Sequence, residues 1–343
     1  MGLGLTVGIV GLPNVGKSTL FNALLKKQVA LVANYPFATI EPNVGVVEVP
    51  DERLPVLAKI VQTEKIVPAA IEFYDIAGLV KGASQGEGLG NQFLAKIREV
   101  KVIIHAVRLF NDPNIVHVHE DIDPKGDIDT IESELMLADL ATLDKQPKGS
   151  PAVFESIKAR LNQGQPVRDQ TLTEDELESI KPLGLLTLKP VIFVFNVSEN
   201  QLNQPPDPLN QPSLYLCAKL EAEMVDFSPA EQQEILNQYN LKETGLNRLI
   251  KVAYDTLGLM SFLTAGKLEA RAWTIAKNTP AQQAAGVIHT DFIKNFIKAD
   301  VVSCADFVRI GGWVKAREAG LVKTVGRDYC LSDGQVVEFK IGT

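Results

Sequence analysis

Short unbroken apolar runs recur along the chain at Leu5–Val10, Ile71–Tyr74, Val102–Val107, Val191–Phe195 and Leu214–Leu216, each closed by polar residues or glycine. Such runs fit strands buried on both faces, as in a parallel sheet covered by helices. Thr19–Lys27, Gly90–Glu99 and Thr244–Leu257 lie between or after them with helical spacing. The alternation predicts an α/β fold built on a mostly parallel sheet. Ligands of such sheets sit beyond the carboxyl ends of the strands.

The texture changes over residues 125–183, where Ile128, Ile131, Leu135, Ala138 and Leu140 fall at helical spacing and predict a helical insertion. Pro147-Lys148-Gly149-Ser150-Pro151 breaks it, Val153–Asn162 resumes the pattern, and Thr173 with Glu176 forms a capping box for a further helix. Strand-like segments return after Gly258, among them Gln335–Ile341 behind the turn Ser332-Asp333-Gly334, and predict a small separate α+β unit. The expected layout is therefore a parallel-sheet α/β domain over 1–124 and 184–257, a helical insertion over 125–183 and a C-terminal unit over 258–343.

With 343 residues, 45% of them hydrophobic, the chain can bury a substantial core in two or three units. No apolar run reaches the length of a membrane span and no secretory leader opens the chain, so the expectation is a cytoplasmic protein without a membrane partner. Met1 to Thr6 match an acylation pattern but run straight into the first strand, which argues against a lipid there. Cys217, Cys304 and Cys330 are odd in number and scattered, so they predict semi-buried thiols and neither disulfides nor a zinc site. The formal net charge of −8 conceals an asymmetry: residues 258–343 hold 11 Lys+Arg against 8 Asp+Glu. An acidic whole argues against indiscriminate coating of DNA, while the cationic end suits one polyanionic surface, or is simply a solvated face of mixed charge.

Gly11-Leu12-Pro13-Asn14-Val15-Gly16-Lys17-Ser18 spells a phosphate-binding loop between a strand and a helix. Its glycines let backbone N–H groups converge on a triphosphate, Lys17 adds positive charge, and Ser18 offers a hydroxyl to Mg²⁺. Asp75-Ile76-Ala77-Gly78 follows a strand, placing a carboxylate near the magnesium and a glycine N–H where it can sense the γ-phosphate. Thr39 lies on the intervening loop, where switch proteins complete the magnesium shell with a threonine hydroxyl. Base selection falls to Asn196-Val197-Ser198-Glu199. Guanine-specific proteins have N-K-x-D there, the aspartate accepting from guanine N1–H and the amino group. Glu199 is one methylene longer and Val197 replaces the lysine, which favours ATP over GTP; the alternative is that Glu199 adjusts and guanine is still read. Cys217-Ala218-Lys219 matches the loop that packs on the base.

Leu79 stands where a water-positioning glutamine is usual, so catalysis needs another polar group. Asn14 is a candidate for holding a monovalent cation against the phosphates. His117 is a candidate for a catalytic or gating role, against the alternative of a surface-loop residue; His119 is a weaker one, and His105, inside a strand, reads as core.

Asn14 to Asn22, Asp75 to Ser84 and Arg271-Ala272-Trp273-Thr274-Ile275, together with the segments above and nearly end to end, make the chain resemble the YchF or Obg-like ATPases. The resemblance implies a Ras-like P-loop domain, an inserted α-helical arm and a C-terminal TGS domain of β-grasp type. It implies slow ATP hydrolysis with Mg²⁺, stimulation by K⁺, and association with the ribosome through the large subunit, rRNA and ribosomal-protein surface. Its site residues would be Asn14, Val15, Gly16, Lys17, Ser18 and Thr19 on phosphate and potassium, Ser18 and Thr39 with Asp75 on magnesium, Gly78 as γ-phosphate sensor, and Asn196, Val197, Glu199, Cys217 and Ala218 around the base, with His117 in hydrolysis. The arm near Lys145 to Pro151 is shorter than the family's usual coiled coil. A GTP-preferring enzyme and a non-hydrolysing, nucleotide-dependent binding module remain as alternatives.

Overall fold

A computed structural model describes residues 5–28, 43–76, 89–115, 122–147, 149, 151–203 and 211–342. Its strands in chain order are β1 Thr6–Val10, β2 Val44–Glu48, β3 Ile66–Val67, β4 Ala70–Asp75, β5 Val102–Arg108, β6 Val191–Asn196, β7 Ser213–Leu216, β8 Leu259–Ala265, β9 Ala270–Ala276, β10 Phe296–Ser303, β11 Lys323–Val325 and β12 Gln335–Ile341. They form two sheets, ordered β2-β4-β1-β5-β6-β7 and β11-β10-β12-β8-β9-β3.

The first sheet belongs to a unit made of the described residues of 5–28, 43–47 and 72–253. Its pairs β1–β4, β1–β5, β5–β6 and β6–β7 are all parallel, with Ile9 opposite Asp75 and Arg108 opposite Asn196. All five strands read from apolar runs are present, and every residue of β5 and of β6 is buried, as unbroken apolar runs require. The helix after the phosphate loop starts at Lys17, two residues before the apolar spacing begins at Thr19. Burial of Leu20, Phe21, Ala23 and Leu24 holds it, while Lys17 and Ser18 occupy a first turn whose N–H groups have no carbonyl partners within the helix.

The insertion appears as helices Pro124–Asp144, Ala152–Leu161 and Glu174–Ile180. Asp123 accepts from Gly126 N to cap the first, and the Thr173–Glu176 box caps the last with both reciprocal bonds made. The long helix is apolar on two sides. Ile131, Leu135 and Ala138 join the sheet core with Val107 and Phe193, whereas Met136 and Leu143 join a second core with Phe154, Ile157, Leu161 and Ile180. The insertion is thus rooted in the sheet core by its first helix.

A second unit contains residues 48–71 and the described residues of 254–343. Its sheet is mixed: β12–β8 and β3–β9 pair in parallel, and β8–β9, β10–β12 and β10–β11 antiparallel. Ala281, Ala284 and Ala285 of the helix Ala281–Ile288 pack with Met260, Phe262, Ile275 and Val337, the small side chains allowing close approach to the strands. The α+β texture expected after Gly258 is present, and β12 spans Gln335–Ile341 as read. Residues 48–71, which the sequence reading places in the nucleotide domain, cluster with this unit. Their helix Arg53–Val61 and strand β3 carry no local signal of which sheet they join; that choice is made by pairing with β9, more than 200 residues away, where Ile66 faces Ala270. No described helix is long and apolar enough to cross a membrane.

Candidate nucleotide site

The carboxyl ends of β1, β5, β6 and β7 open onto a cavity of about 1060 Å³. Its floor is the phosphate loop, with Asn14, Gly16, Lys17, Ser18 and Thr19 lining it; one wall is Asn196–Asn200 with Cys217–Lys219, and the other is Phe110–Asp112 with Ile115. Sequence segments far apart therefore meet as expected of a nucleotide pocket at strand ends.

The loop's shape follows from its residues. Gly16 has φ +90°, and a Cβ there would collide with Asn196 Nδ2. A Cβ on Gly11 would lie 2.7 Å from the Ala106 carbonyl. Asn14 adopts φ +63°, a left-handed conformation that asparagine tolerates better than most side chains. Lys17 Nζ donates to Asp75 Oδ1 at 2.6 Å, so the loop cation and the β4 carboxylate are within reach of one another.

Asn196 joins the floor to the wall. Its Nδ2 donates to the Val15 carbonyl at 2.9 Å and its Oδ1 accepts from Ala218 N at 2.9 Å. Its own carbonyl accepts from both Leu109 N at 2.8 Å and Phe110 N at 3.0 Å. One amide residue thus ties together the phosphate loop, the base loop, the Cys217–Ala218 turn and the opposite wall. Val197 is buried, its N–H donating to the Leu216 carbonyl, and Ser198 with Gln201 caps the short turn Glu199–Gln201. Glu199 Oε2 accepts from the Tyr239 hydroxyl at 2.6 Å. Burial pushes the Cys217 thiol up, with the nearby Glu199 charge adding to it, so Cys217 is a neutral packing surface. Cys304 is half-buried and Cys330 exposed, so the expectation of semi-buried thiols fails for Cys330, which lies at an isolated bridge to Pro280.

Thr39, Gly78, Leu79, His117 and His119 lie outside the described residues. His105 is 1% exposed in β5, with neither ring nitrogen hydrogen-bonded among the described residues and its ring 5.4 Å from that of Phe193. It is a core residue, as its strand position implies. Burial first, then the Arg168 charge, lowers its pKa to about 3. The unfolded chain therefore binds a proton near pH 6.5 that the folded chain refuses, and stability contributed by this group falls as pH drops from about 6.5 toward 3. Since the folded value is far below 5, the loss between pH 7 and pH 5 is set by the unfolded chain and amounts to about 2 kcal/mol. Glu132 and Asp139, raised by burial, act with the opposite sign, so the difference between wild type and His105→Phe isolates the histidine. Urea unfolding at both pH values is expected to show that the variant loses about 2 kcal/mol less; equal losses in the two proteins would refute it.

Residues 259–342 match the family model YchF-GTPase_C, described as "Protein of unknown function (DUF933)", and residues 6–143 match MMR_HSR1, described as "50S ribosome-binding GTPase". Ribosome-binding ATPase YchF of Bacillus subtilis is 45% identical, with 98% of this chain and 99% of that protein aligned. The chain belongs to the YchF family. The protein of the same name from Mycoplasma genitalium is 47% identical over 98% of this chain and 99% of its own length. The solved structure of the Schizosaccharomyces pombe YchF GTPase matches with a TM-score of 0.87 at 35% identity, covering 99% of this chain and 98% of that one.

Two features of this YchF-family cavity escape sequence reading. Arg108 ends the otherwise apolar β5 and is 2% exposed. Its guanidinium donates to the carbonyls of Phe110, Asp112 and Ile115 at 3.1–3.3 Å and lies 4.4 Å from the centre of the Phe110 ring, shaping that wall of the cavity. An arginine closing a buried strand is a signal, because burying it demands such partners. Tyr239, from the end of the helix Pro229–Gln238, carries no signal that it meets Glu199.

Proposed function

We propose that this chain is a ribosome-associated, nucleotide-switched ATPase that binds and slowly hydrolyses ATP, taking GTP less well. The observation that carries the reading is the Asn196 junction, which presents an N-V-x-E base loop over a complete phosphate loop in one cavity. The bacterial relatives, named ribosome-binding ATPases, support the same reaction and partner for this chain.

In this reading the backbone N–H groups of 14–19 and the Lys17 ammonium receive the β- and γ-phosphates, Lys17 exchanging Asp75 for phosphate as nucleotide enters. The Ser18 hydroxyl and Asp75 carboxylate are oxygen donors of the kind Mg²⁺ takes alongside phosphate and water, and Thr39 would complete its shell. When bound, the ion neutralises charge developing on the phosphate oxygens. Asn14 would seat K⁺ beside the phosphates, Gly78 would report the γ-phosphate, and His117 would assist hydrolysis or gate it. Asn196 and the Val197 backbone would meet adenine, Glu199 would select against guanine, and Cys217 with Ala218 would pack on the base.

We assign the nucleotide domain to 1–124 and 184–257, the helical insertion to 125–183 and a TGS domain to 258–343, with 48–71 packing as part of the last unit's sheet. The large ribosomal subunit, through rRNA and protein surface, is the partner proposed for the cationic C-terminal end, in the cytoplasm, without DNA or membrane. Purified protein with ATP and Mg²⁺ is expected to release phosphate in a single turnover, faster in K⁺ than in Na⁺, and calorimetry is expected to find ATP bound about tenfold more tightly than GTP. Tighter GTP binding refutes the adenine preference. No release in either salt would leave nucleotide as a structural ligand of a binding module.

A further inference from the structure

We infer that Tyr239 is a specificity-determining positioning residue, which turns the Glu199 carboxylate away from the base edge and thereby suppresses guanine binding. This rests on the ATP preference proposed above.

Both ends of the Tyr239–Glu199 hydrogen bond stand on fixed backbone. Glu199 opens a short turn capped by Ser198 and Gln201, with Ser198 N donating to Gln201 Oε1 at 3.0 Å. Tyr239 is the C-cap of a helix that ends in a Schellman closure: Leu241 N reaches the Leu236 carbonyl at 2.8 Å, Asn240 N reaches the Asn237 carbonyl, and Asn240 takes φ +52°. Ile235, Tyr239 and Leu241 all pack on the sheet core, so the ring is anchored by apolar contact and only its hydroxyl is left to choose a partner. That partner is Glu199 Oε2, at 2.6 Å. The bond to the carboxylate also pushes the phenol's pKa up, keeping it a protonated donor across the physiological range.

Guanine recognition by a carboxylate needs both oxygens turned to the base, one for N1–H and one for the exocyclic amino group. Here one oxygen already accepts from a group that does not line the cavity, whereas Glu199 does line it. The extra methylene of glutamate relative to aspartate is what gives the carboxylate the reach to Tyr239. Adenine presents a lone pair at the corresponding position and gains nothing from a carboxylate there, so withdrawing it costs ATP little. The selectivity is thus held by a pair of side chains, of which only one belongs to the recognition tetrapeptide.

Tyr239→Phe deletes the donor and keeps the ring in the core. Calorimetric Kd values for ATP and GTP are compared in wild type, Tyr239→Phe, Glu199→Asp and the double variant Tyr239→Phe/Glu199→Gln. The ratio of GTP to ATP Kd is expected to fall about tenfold in Tyr239→Phe, the scale of one misplaced bidentate pair. Glu199→Asp, too short for the phenol, is expected to shift it the same way, and the double variant to lose the shift because a neutral amide cannot accept twice. A ratio in Tyr239→Phe within twofold of wild type, or a shift that survives in the double variant, overturns the role of Tyr239 while leaving the ATP preference standing. Wild-type protein that binds GTP more tightly removes that preference and the inference with it.

Discussion

Arg168→Ala is expected to destabilise the protein by about 3–5 kcal/mol, the cost of leaving a buried charge without its partner. Arg168 and Glu132 are 5% and 11% exposed in their side chains, and the guanidinium holds both carboxylate oxygens, at 2.7 and 2.8 Å from Nη2, while Nη1 also donates to the Thr187 carbonyl at 3.3 Å. Burial drives the Glu132 carboxyl upward in pKa and Arg168 opposes it; with the arginine gone only the upward push remains. The pair sits beside Asp139, fully buried, which accepts from Leu186 N, Thr187 N and Thr187 Oγ1 at 2.6–2.8 Å. Together these contacts bind the helix Pro124–Asp144 to the segment that returns the chain to β6. Urea unfolding measures the loss. Replacing both members by apolar residues, Arg168→Met with Glu132→Leu, is expected to recover most of it, because no uncompensated charge is left; a double variant as unstable as the single one would show that the bond network, not charge burial, sets the cost.

Asn196→Ala is expected to weaken nucleotide binding at least tenfold and to lower stability by about 2–6 kcal/mol, since it orphans the Val15 carbonyl and the Ala218 N–H at about 1–3 kcal/mol for each buried group left unpaired. The amide is 7% exposed, and no other described side chain bridges those two groups. Its loss also frees the phosphate loop to move relative to the base wall, and affinity then falls because ordering must be recovered on binding. Asn196→Asp discriminates. The carboxylate can still accept from Ala218 N but repels the Val15 carbonyl, so it is expected to bind nucleotide no better than the alanine variant. Calorimetry with ATP at matched fraction folded checks this, and wild-type affinity in either variant would refute the junction.

These two residues illustrate how differently parts of the molecule could be read beforehand. Asn196 announced itself through its place after an apolar strand in a recognisable tetrapeptide, although its two hydrogen bonds, to Val15 and from Ala218, did not. Arg168 announced nothing: it is one of several charges in a helical segment, and its burial depends on Glu132, 36 residues earlier. Helix caps such as Thr173 with Glu176 were legible because both partners lie within one turn. Arg108 was legible as an arginine closing a buried strand but not in its partners, and Tyr239 and the seat of residues 48–71 were not legible at all.

From the order of residues alone came the parallel strands, the phosphate loop and its flanking helix, the break at Pro147 to Pro151 and the C-terminal α+β unit. Each is written in a local period, a local turn or a motif whose glycines and lysine act through neighbouring backbone. Tertiary structure decided which oxygen of Glu199 is already taken, which charge is buried beside Glu132, and which sheet receives Ile66 and Val67. Those outcomes depend on groups tens to hundreds of positions apart being brought within 3 Å or into register, and a polar side chain's meaning changes entirely with the partner that burial assigns to it.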